Sequence, residues 1–488
     1  MNYIRYAEEF YEANNIDDIN KKGFSRTLAS FHLVDMYPSI KAMEKFSNEK
    51  KWTSLIKKSP DAAESAAIYL HFPFCNSFCS YCHLYKEIAD QSGESETRYV
   101  FALKKEIETY ARIFGNKLAA RSIYFGGGTP SLMSVPALKE ILSILKANFD
   151  VVKNCPISFE IYPSKNIDEQ KAVEKLEMLK AFGAREIVLD QQSTNERSLE
   201  AIGRADTNFQ NWKRIIGLIS AVGNFRIKSS LILGLPYDDL KTFEQSVFDI
   251  LSEKKLSTIS LFLLEFRKGL KVTRDLAENK DAFCDARERD QMQIMARKIL
   301  RDRGFRESPI HFYTRKNQNN QKAALIGSSA IHLLGFGPSA YGHIALNGRE
   351  ISYYNLADTA RYEENLSKNA LPISRIHYLT GKEIRTAELI DSLSSQGCVD
   401  IKKLESKRLK KVFSAFEKLG LTRSENEKVS LTELGKIRTE EMVWYLYDDN
   451  YRLLERKPCT DPEVLRHNYL TVMPKADERK YRQFAEKF

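Results

Sequence analysis

The chain has 488 residues, more than one ordinary core holds, and its length alone suggests roughly three domain-sized pieces. Hydrophobic residues make up 43% and charged residues 29%, the balance of a soluble globular protein. No apolar run approaches the ~20 residues of a membrane span. Met1–Phe10 is polar and carries acids, unlike a signal peptide, so the expected setting is cytoplasmic with no membrane partner. The net charge of +10 comes from basic residues scattered among acids, as in Glu405–Lys411 and Glu425–Lys428. No basic block with interleaved aromatics stands out, which argues against nucleic acid and leaves anionic, carboxylate-bearing substrates open.

In chain order, residues 1–66 read as a helical extension, with turn signals at Asn14-Asn15 and Ser59-Pro60 and an aromatic patch from Phe31 to Pro38. Residues 67–270 alternate regularly. Strands are predicted at Ala67–Phe72, Arg121–Phe125, Ile157–Ile161, Glu186–Leu189, Ile227–Leu233 and Thr258–Leu264. Helices are predicted between them, at Thr97–Phe114, Val135–Asn148, Ile167–Phe182, Glu196–Ile202, Phe209–Val222 and Thr242–Glu253. This alternation implies a parallel sheet. Six units fit a partial (β/α)6 barrel, whose loops after the strands gather on one rim. Residues 271–374 read as a mixed extension of the barrel and a connection, with a charged helical stretch at Lys280–Gly304. Residues 375–488 read as a small, mostly helical domain. There, a helix over Gly381–Gly397, a second over Val399–Leu419 and a hairpin at Thr422–Leu431 make a winged-helix-like pattern. Without a basic recognition helix it reads as a packing lid, not a DNA reader.

Cysteine use carries the chemical signal. Of seven cysteines, Cys75, Cys79 and Cys82 fall within eight residues, while Cys155, Cys284, Cys398 and Cys459 lie far apart. An odd, clustered set points to metal or redox chemistry, not to a disulfide framework. The three follow directly from the first strand at C-x₃-C-x₂-C spacing, which can wrap one face of an iron–sulfur cubane with soft thiolate donors. With no fourth cysteine nearby, one iron would be open. A zinc site would want a further Cys or His, for which His71 is available and His83 is awkwardly adjacent to Cys82. Three inert buried thiols satisfy the spacing as well.

The motif Tyr69-Leu-His-Phe-Pro-Phe-Cys75-Asn-Ser-Phe-Cys79-Ser-Tyr-Cys82 resembles the signature of radical S-adenosylmethionine (SAM) enzymes. Its flanks are similar to the oxygen-independent coproporphyrinogen III oxidase family and its relatives. Further matches follow in order: Ile123–Pro130 with its glycine run, Ser158–Pro163, Gln192-Ser193 with Arg204, Leu231–Pro236, and Gly335–Ala340. The resemblance runs from about residue 67 to 375. It implies a radical SAM barrel holding a [4Fe–4S] cluster on Cys75, Cys79 and Cys82, with one SAM, or two, as cosubstrate. It implies reductive cleavage of SAM to a 5′-deoxyadenosyl radical that takes hydrogen from a small-molecule substrate. It also implies a low-potential electron donor such as flavodoxin or ferredoxin.

The same resemblance assigns residues. Gly127, Gly128 and Thr129 would meet the methionine amino group, and Arg204 its carboxylate. Glu160 would accept from the amino group or a ribose hydroxyl, Gln192 would bond ribose, and Ile232 would pack on adenine. Tyr69 and Tyr81 would line the cluster and the sulfonium as the catalytic aromatics, with ordinary packing the competing explanation for both. His71 reads equally as a satisfied core histidine. Two departures stand out: Ser230 where the family has Asp, and His83-Leu84 where the oxidase proper has Gly-Cys. Residues 1–66 also lack the oxidase's own N-terminal region. These point away from the oxidase itself and toward a transferase or oxidoreductase of the same branch, with methyl or carbon-radical transfer ahead of tetrapyrrole decarboxylation or ring opening. A haem-binding chaperone without turnover is the alternative.

Overall fold

Six strands form the parallel centre of one large sheet: β1 (Ser65–Phe72), β2 (Ala119–Gly127), β3 (Ile157–Glu160), β4 (Glu186–Val188), β5 (Arg226–Leu233) and β6 (Leu256–Leu263). In this computed structural model the described residues are 1–24, 37–57, 64–115, 117–267, 269–307, 311–315, 331–346, 348–404, 406–456 and 461–466. Phe31–Met36, Ser59-Pro60 and Cys459 lie outside them. Each strand is buried on both faces, as in β1, where all but Ser65 and Tyr69 are buried. That is why these segments are nearly continuous apolar runs. Helices return the chain between them, including Glu94–Phe114, Val135–Asn148, Glu169–Phe182, Phe209–Val222 and Leu240–Leu251. Ser134, Asp168, Asn208 and Asp239 cap four of these at their N-termini with side-chain oxygens.

The sheet continues at both ends. Five strands come from the stretch read as mixed: β7 (Phe305–Glu307), β8 (Phe312–Arg315), β9 (His332–Phe336), β10 (Tyr341–Leu346) and β11 (Arg349–Asn355). β12 (Ile373–Leu379) crosses residue 375 and pairs with β11. β9 lies parallel to β1 and starts an antiparallel run β9–β10–β11–β12, while β8 and β7 extend β6 antiparallel. The barrel stays partial, with its first and sixth strands separated by these extensions.

In the C-terminal part, the stretch Val399–Leu419 is not one helix. Val399 lies in a short strand, Cys398–Asp400, paired with Lys428–Ser430 of the hairpin, and the helix starts at Lys407 after the cap Ser406. Gly397 in the left-handed conformation (φ 69°) ends the preceding turn and redirects the chain into that strand. The helix Thr439–Leu446 is buried along its whole length. Next to it, Arg438 donates to Asp290 at 2.8 Å with both side chains fully buried, fixing this segment to the barrel helix Ala286–Asp302. The N-terminal helix Tyr3–Ala13 lies against the same barrel helix, with Arg287 paired to Glu12. Among the described residues, no helix is long and apolar enough to cross a membrane.

Candidate functional site

A cavity of about 750 Å³ occupies the barrel interior and its open side. Loops after the strands form one end of it, and the cysteine loop lies there directly after β1. This loop is pinned from three sides. The amides of Gly128 and Thr129 donate to the carbonyls of Phe72 and Phe74 at 2.6 and 2.8 Å. The Ser80 amide donates to the Ile202 carbonyl, and the Ser80 carbonyl accepts from the Val272 amide. Glycine is required at the closest point: a Cβ on Gly128 would fall 2.6 Å from the Phe74 oxygen, and Gly127 has φ 106°. The glycine motif therefore clamps β2 onto the cysteine loop, and the amides of Gly128 and Thr129 are already used within the protein.

Cys75, Cys79 and Cys82 all border the cavity. The Thr129 hydroxyl donates to Cys75 Sγ at 3.3 Å, and Arg204 Nη1 approaches Cys79 Sγ at 3.9 Å. Burial pushes the Cys75 thiol up to about 11, against the pull of Thr129, and also raises Cys79. At Cys75 and Cys79 burial favours the bare thiol, and a cationic group would be needed to hold thiolates there. Among the described residues, no three His, Cys, Asp or Glu side chains converge as a single metal ion would require.

His71 is fully committed to its neighbours. Its Nε2 lies 2.9 Å from the Tyr85 carbonyl, which can only accept, so Nε2 carries the proton and Nδ1 accepts from the Tyr69 hydroxyl at 3.1 Å. Burial pushes His71 down to about 4 and keeps it neutral. It is a satisfied histidine that orients Tyr69.

The polar candidates border the same cavity. Arg204 is 5% exposed; its Nη2 donates to the Asp190 carbonyl at 2.8 Å and its guanidinium lies 4.5 Å over the Tyr162 ring. Its Nε–H is buried without a partner. Glu160 accepts from the Tyr124 hydroxyl at 2.6 Å. Gln192 holds a positive φ of 70° and is fastened to β5 on both sides, through the Ser230 carbonyl and the Ile232 amide at 2.9 Å each. Ser230 donates to Gln192 Oε1 at 3.2 Å, so the residue that departs from the family pattern braces a neighbouring candidate. Ile232 and Tyr81 belong to a small apolar cluster with Leu199, Ile202 and Leu264. Every candidate residue from the sequence, Tyr69 included, borders this one cavity.

Sequence reasoning missed Tyr124, Asp190 and Tyr162. Tyr124 lies inside the quoted Ile123–Pro130 motif, two residues before Gly126, so strand alternation puts it on the same face. Tyr162 likewise lies inside the quoted Ser158–Pro163 motif, two residues after Glu160, whereas nothing local marks Asp190. Also unforeseen is the side wall. His311 and Phe312 from one end of the sheet, and Tyr341 and His343 from the other, face a gap closed by Ile384, Ala387 and Asp391 of the helix Gly381–Asp391. His311 pairs with Glu440 at 2.8 Å and His343 with Glu350 at 3.0 Å.

These residues fit an iron–sulfur cluster with an amino-acid ligand. Three soft donors sit on one braced loop, the buried Arg204 donor is unpartnered, and the glycines permit close backbone approach. Comparison with known proteins agrees. The Radical SAM superfamily profile matches residues 69–250. An oxygen-independent coproporphyrinogen III oxidase of Bradyrhizobium diazoefficiens is 23% identical over 356 residues, covering 70% of this chain and 75% of its own. The heme chaperone HemW of Bacillus subtilis is 25% identical over 388 residues, covering 77% and 97%. The structure of the Escherichia coli coproporphyrinogen III oxidase HemN superposes with a TM-score of 0.72 at 18% identity, over 84% of this chain and 96% of that one.

Proposed function

Because this chain belongs to the radical SAM superfamily, in its oxygen-independent coproporphyrinogen III oxidase-like family, we propose that it is a radical SAM enzyme acting on a small molecule by methyl or carbon-radical transfer. The observation that carries this reading is the single cavity bordered by Cys75, Cys79, Cys82, Glu160, Gln192 and Arg204. Bound there, a [4Fe–4S] cluster and SAM supply a 5′-deoxyadenosyl radical by one-electron cleavage of the sulfonium. The chain's own residues hold and screen that chemistry. Arg204 offers its free Nε–H to the methionine carboxylate. Glu160, held by Tyr124, accepts from the amino group or ribose, and Gln192, held by Ser230, bonds ribose. Ile232 packs on adenine. Tyr69 and Tyr81 shield the sulfonium from water, and the apolar side walls do the same for the substrate.

Charge favours this branch over decarboxylation of a tetracarboxylate. Among the described residues the cavity lining has seven Asp or Glu, Glu160, Asp190, Glu265, Glu350, Glu388, Asp391 and Glu440, against five Lys or Arg. A substrate with four carboxylates would add negative charge to a wall already in acid excess. The room beyond the SAM residues, between the sheet ends and the helix Gly381–Asp391, suits a substrate or a second SAM.

The test is anaerobic reconstitution with iron and sulfide, then dithionite and SAM. Wild type makes 5′-deoxyadenosine and Cys79→Ala does not. A Cys79→Ala protein with a full cluster spectrum and activity would refute the reading. Deuterium traced from candidate substrates into 5′-deoxyadenosine identifies the class. Stoichiometric haem uptake without SAM cleavage would instead identify a chaperone.

A further inference from the structure

Phe78 stands between two of the cavity cysteines but faces outward, with its side chain 55% exposed. Among the described residues, Phe101 is the only other aromatic ring so exposed. Leaving such a ring in water forgoes about 2 kcal/mol of burial, and the loop is not free to fold it away. Its backbone is held at Ser80 by Ile202 and Val272 and at Cys82 by Cys79. The ring is thus presented by a fixed scaffold. Asn76, Ser77, Gly203 and Ala205 around it are exposed and small or polar, and Ile88, 51% exposed, lies on the short strand paired with Cys75.

Positive charge flanks this apolar centre. The Lys86 ammonium lies 5.5 Å over the Phe78 ring. Arg274 is exposed two residues beyond Val272, whose amide bonds Ser80. Neither Lys86 nor Arg274 pairs with a carboxylate among the described residues; Lys86 donates to carbonyls of its own loop, and Arg274 to Gly269. An exposed aromatic anchor with cations free of carboxylate partners beside it fits a protein-binding hot spot with electrostatic steering.

We infer that the Asn76–Phe78 loop, with Lys86 and Arg274, is the docking face for an acidic one-electron carrier protein. The inference rests on the cluster proposed at Cys75, Cys79 and Cys82. Phe78 is bonded to Cys79, and adjacent Cα atoms are about 3.8 Å apart, so a carrier seated on Phe78 is one residue from a cluster ligand. The carrier is oxidised by one electron and the cluster reduced by one; no bond is made or broken and no proton moves between the proteins. Asn76, Ser77 and Lys86 also border the cavity, so this face lies at its rim, and the inner side facing Arg204 and Thr129 is left to SAM.

The test uses the reconstituted holoenzyme in anaerobic stopped flow, following loss of the cluster's visible absorbance. Donors are two acidic carriers, flavodoxin hydroquinone and reduced [2Fe–2S] ferredoxin, with dithionite as a small-molecule control. At least one carrier should reduce wild type in a saturable manner, slowing as salt rises through the screening range. Phe78→Asp should cut that rate about tenfold or more, and Arg274→Glu severalfold, with dithionite rates unchanged. Binding of the carrier to the unreconstituted chain by thermophoresis should weaken in parallel. Carrier reduction and binding of Phe78→Asp equal to wild type would overturn the inference. So would equal slowing by carriers and dithionite, or a wild type that dithionite reduces and neither carrier does. A wild type that dithionite cannot reduce would instead strike the cluster reading beneath it.

Discussion

Glu106 offers a quantitative test of how the cysteine loop is supported. It lies on the helix Glu94–Phe114 and is completely buried. Its Oε2 accepts from the Gly337 amide at 2.9 Å and the Tyr362 hydroxyl at 2.6 Å, and its Oε1 from Asn355 Nδ2 at 2.7 Å. Gly337, at φ 99°, packs so closely on β1 that a Cβ there would lie 2.4 Å from the His71 oxygen. Glu106 therefore braces the strand end four residues before Cys75. Burial pushes its carboxyl from 4.5 up to about 7, and the three hydrogen bonds only partly offset this. Since the folded value is raised, the group costs nothing below about 4.5, and stability falls as pH rises toward 7 and then levels off. At ~1.36 kcal/mol per unit, the loss between about pH 5 and about pH 8 is about 2.5 kcal/mol. Glu106→Gln removes the titration while keeping the shape, and Asn355, whose Oδ1 is unpartnered, can turn to accept from the new amide. Urea unfolding of both proteins should show the variant gaining on wild type by about 2.5 kcal/mol over that range. A gap independent of pH would refute the reasoning.

Two further substitutions address the site itself. Gly128→Ala drives a Cβ into the Phe72 and Phe74 carbonyls, at 2.9 and 2.6 Å, neither of which can yield without moving the loop. We expect a lowered Tm, consistent with a cost of about 1–3 kcal/mol, and an iron and sulfide content well below wild type on reconstitution. Arg204→Lys keeps the charge but loses the fork and the free Nε–H. Equilibrium dialysis should show SAM binding weakened by about 10- to 100-fold, with the cluster absorbance unchanged.

The parallel centre and the gathering of the candidate residues at one cavity are legible in sequence for one reason: both are encoded largely locally. Each strand is a short apolar run bounded by turn residues, and each candidate except Arg204, which follows the helix Glu196–Ala201, sits on one or in the loop after it. The outer sheet was not legible. The pairing of β7 to β11 depends on partners far along the chain, as in His332 beside Ala66. Val399 was absorbed into a helix because its strand is three residues long and is specified by Val429 across the hairpin. The role of Ser230 shows a subtler limit. As a departure from a family pattern it reads only as a missing acid, whereas its hydroxyl positions Gln192.

The substrate half of the cavity is assembled from pieces that meet only in the fold, and Asp391 tests that assignment. It closes the α-helix Gly381–Asp391, and the chain continues in helical turns through Ser392–Gln396. Burial pushes it up to about 6, with Ser395 and Lys403 pulling back. Burial outweighs both of these, and Asp391 borders the cavity, which is where costly acids tend to serve a ligand. The raised value means stability is lost as pH climbs through about 6. Asp391→Asn should therefore have a higher Tm than wild type at about pH 8 and an equal one at about pH 4. Because Asp391 lies on the far wall from the cysteine loop, cleavage of SAM without substrate should stay within about twofold of wild type. A collapse of that cleavage to the level of Cys79→Ala would place Asp391 at SAM and refute the division of the cavity. No gain in Tm would show that the acid is rewarded by the fold after all, and that the helix end belongs to the protein's own packing.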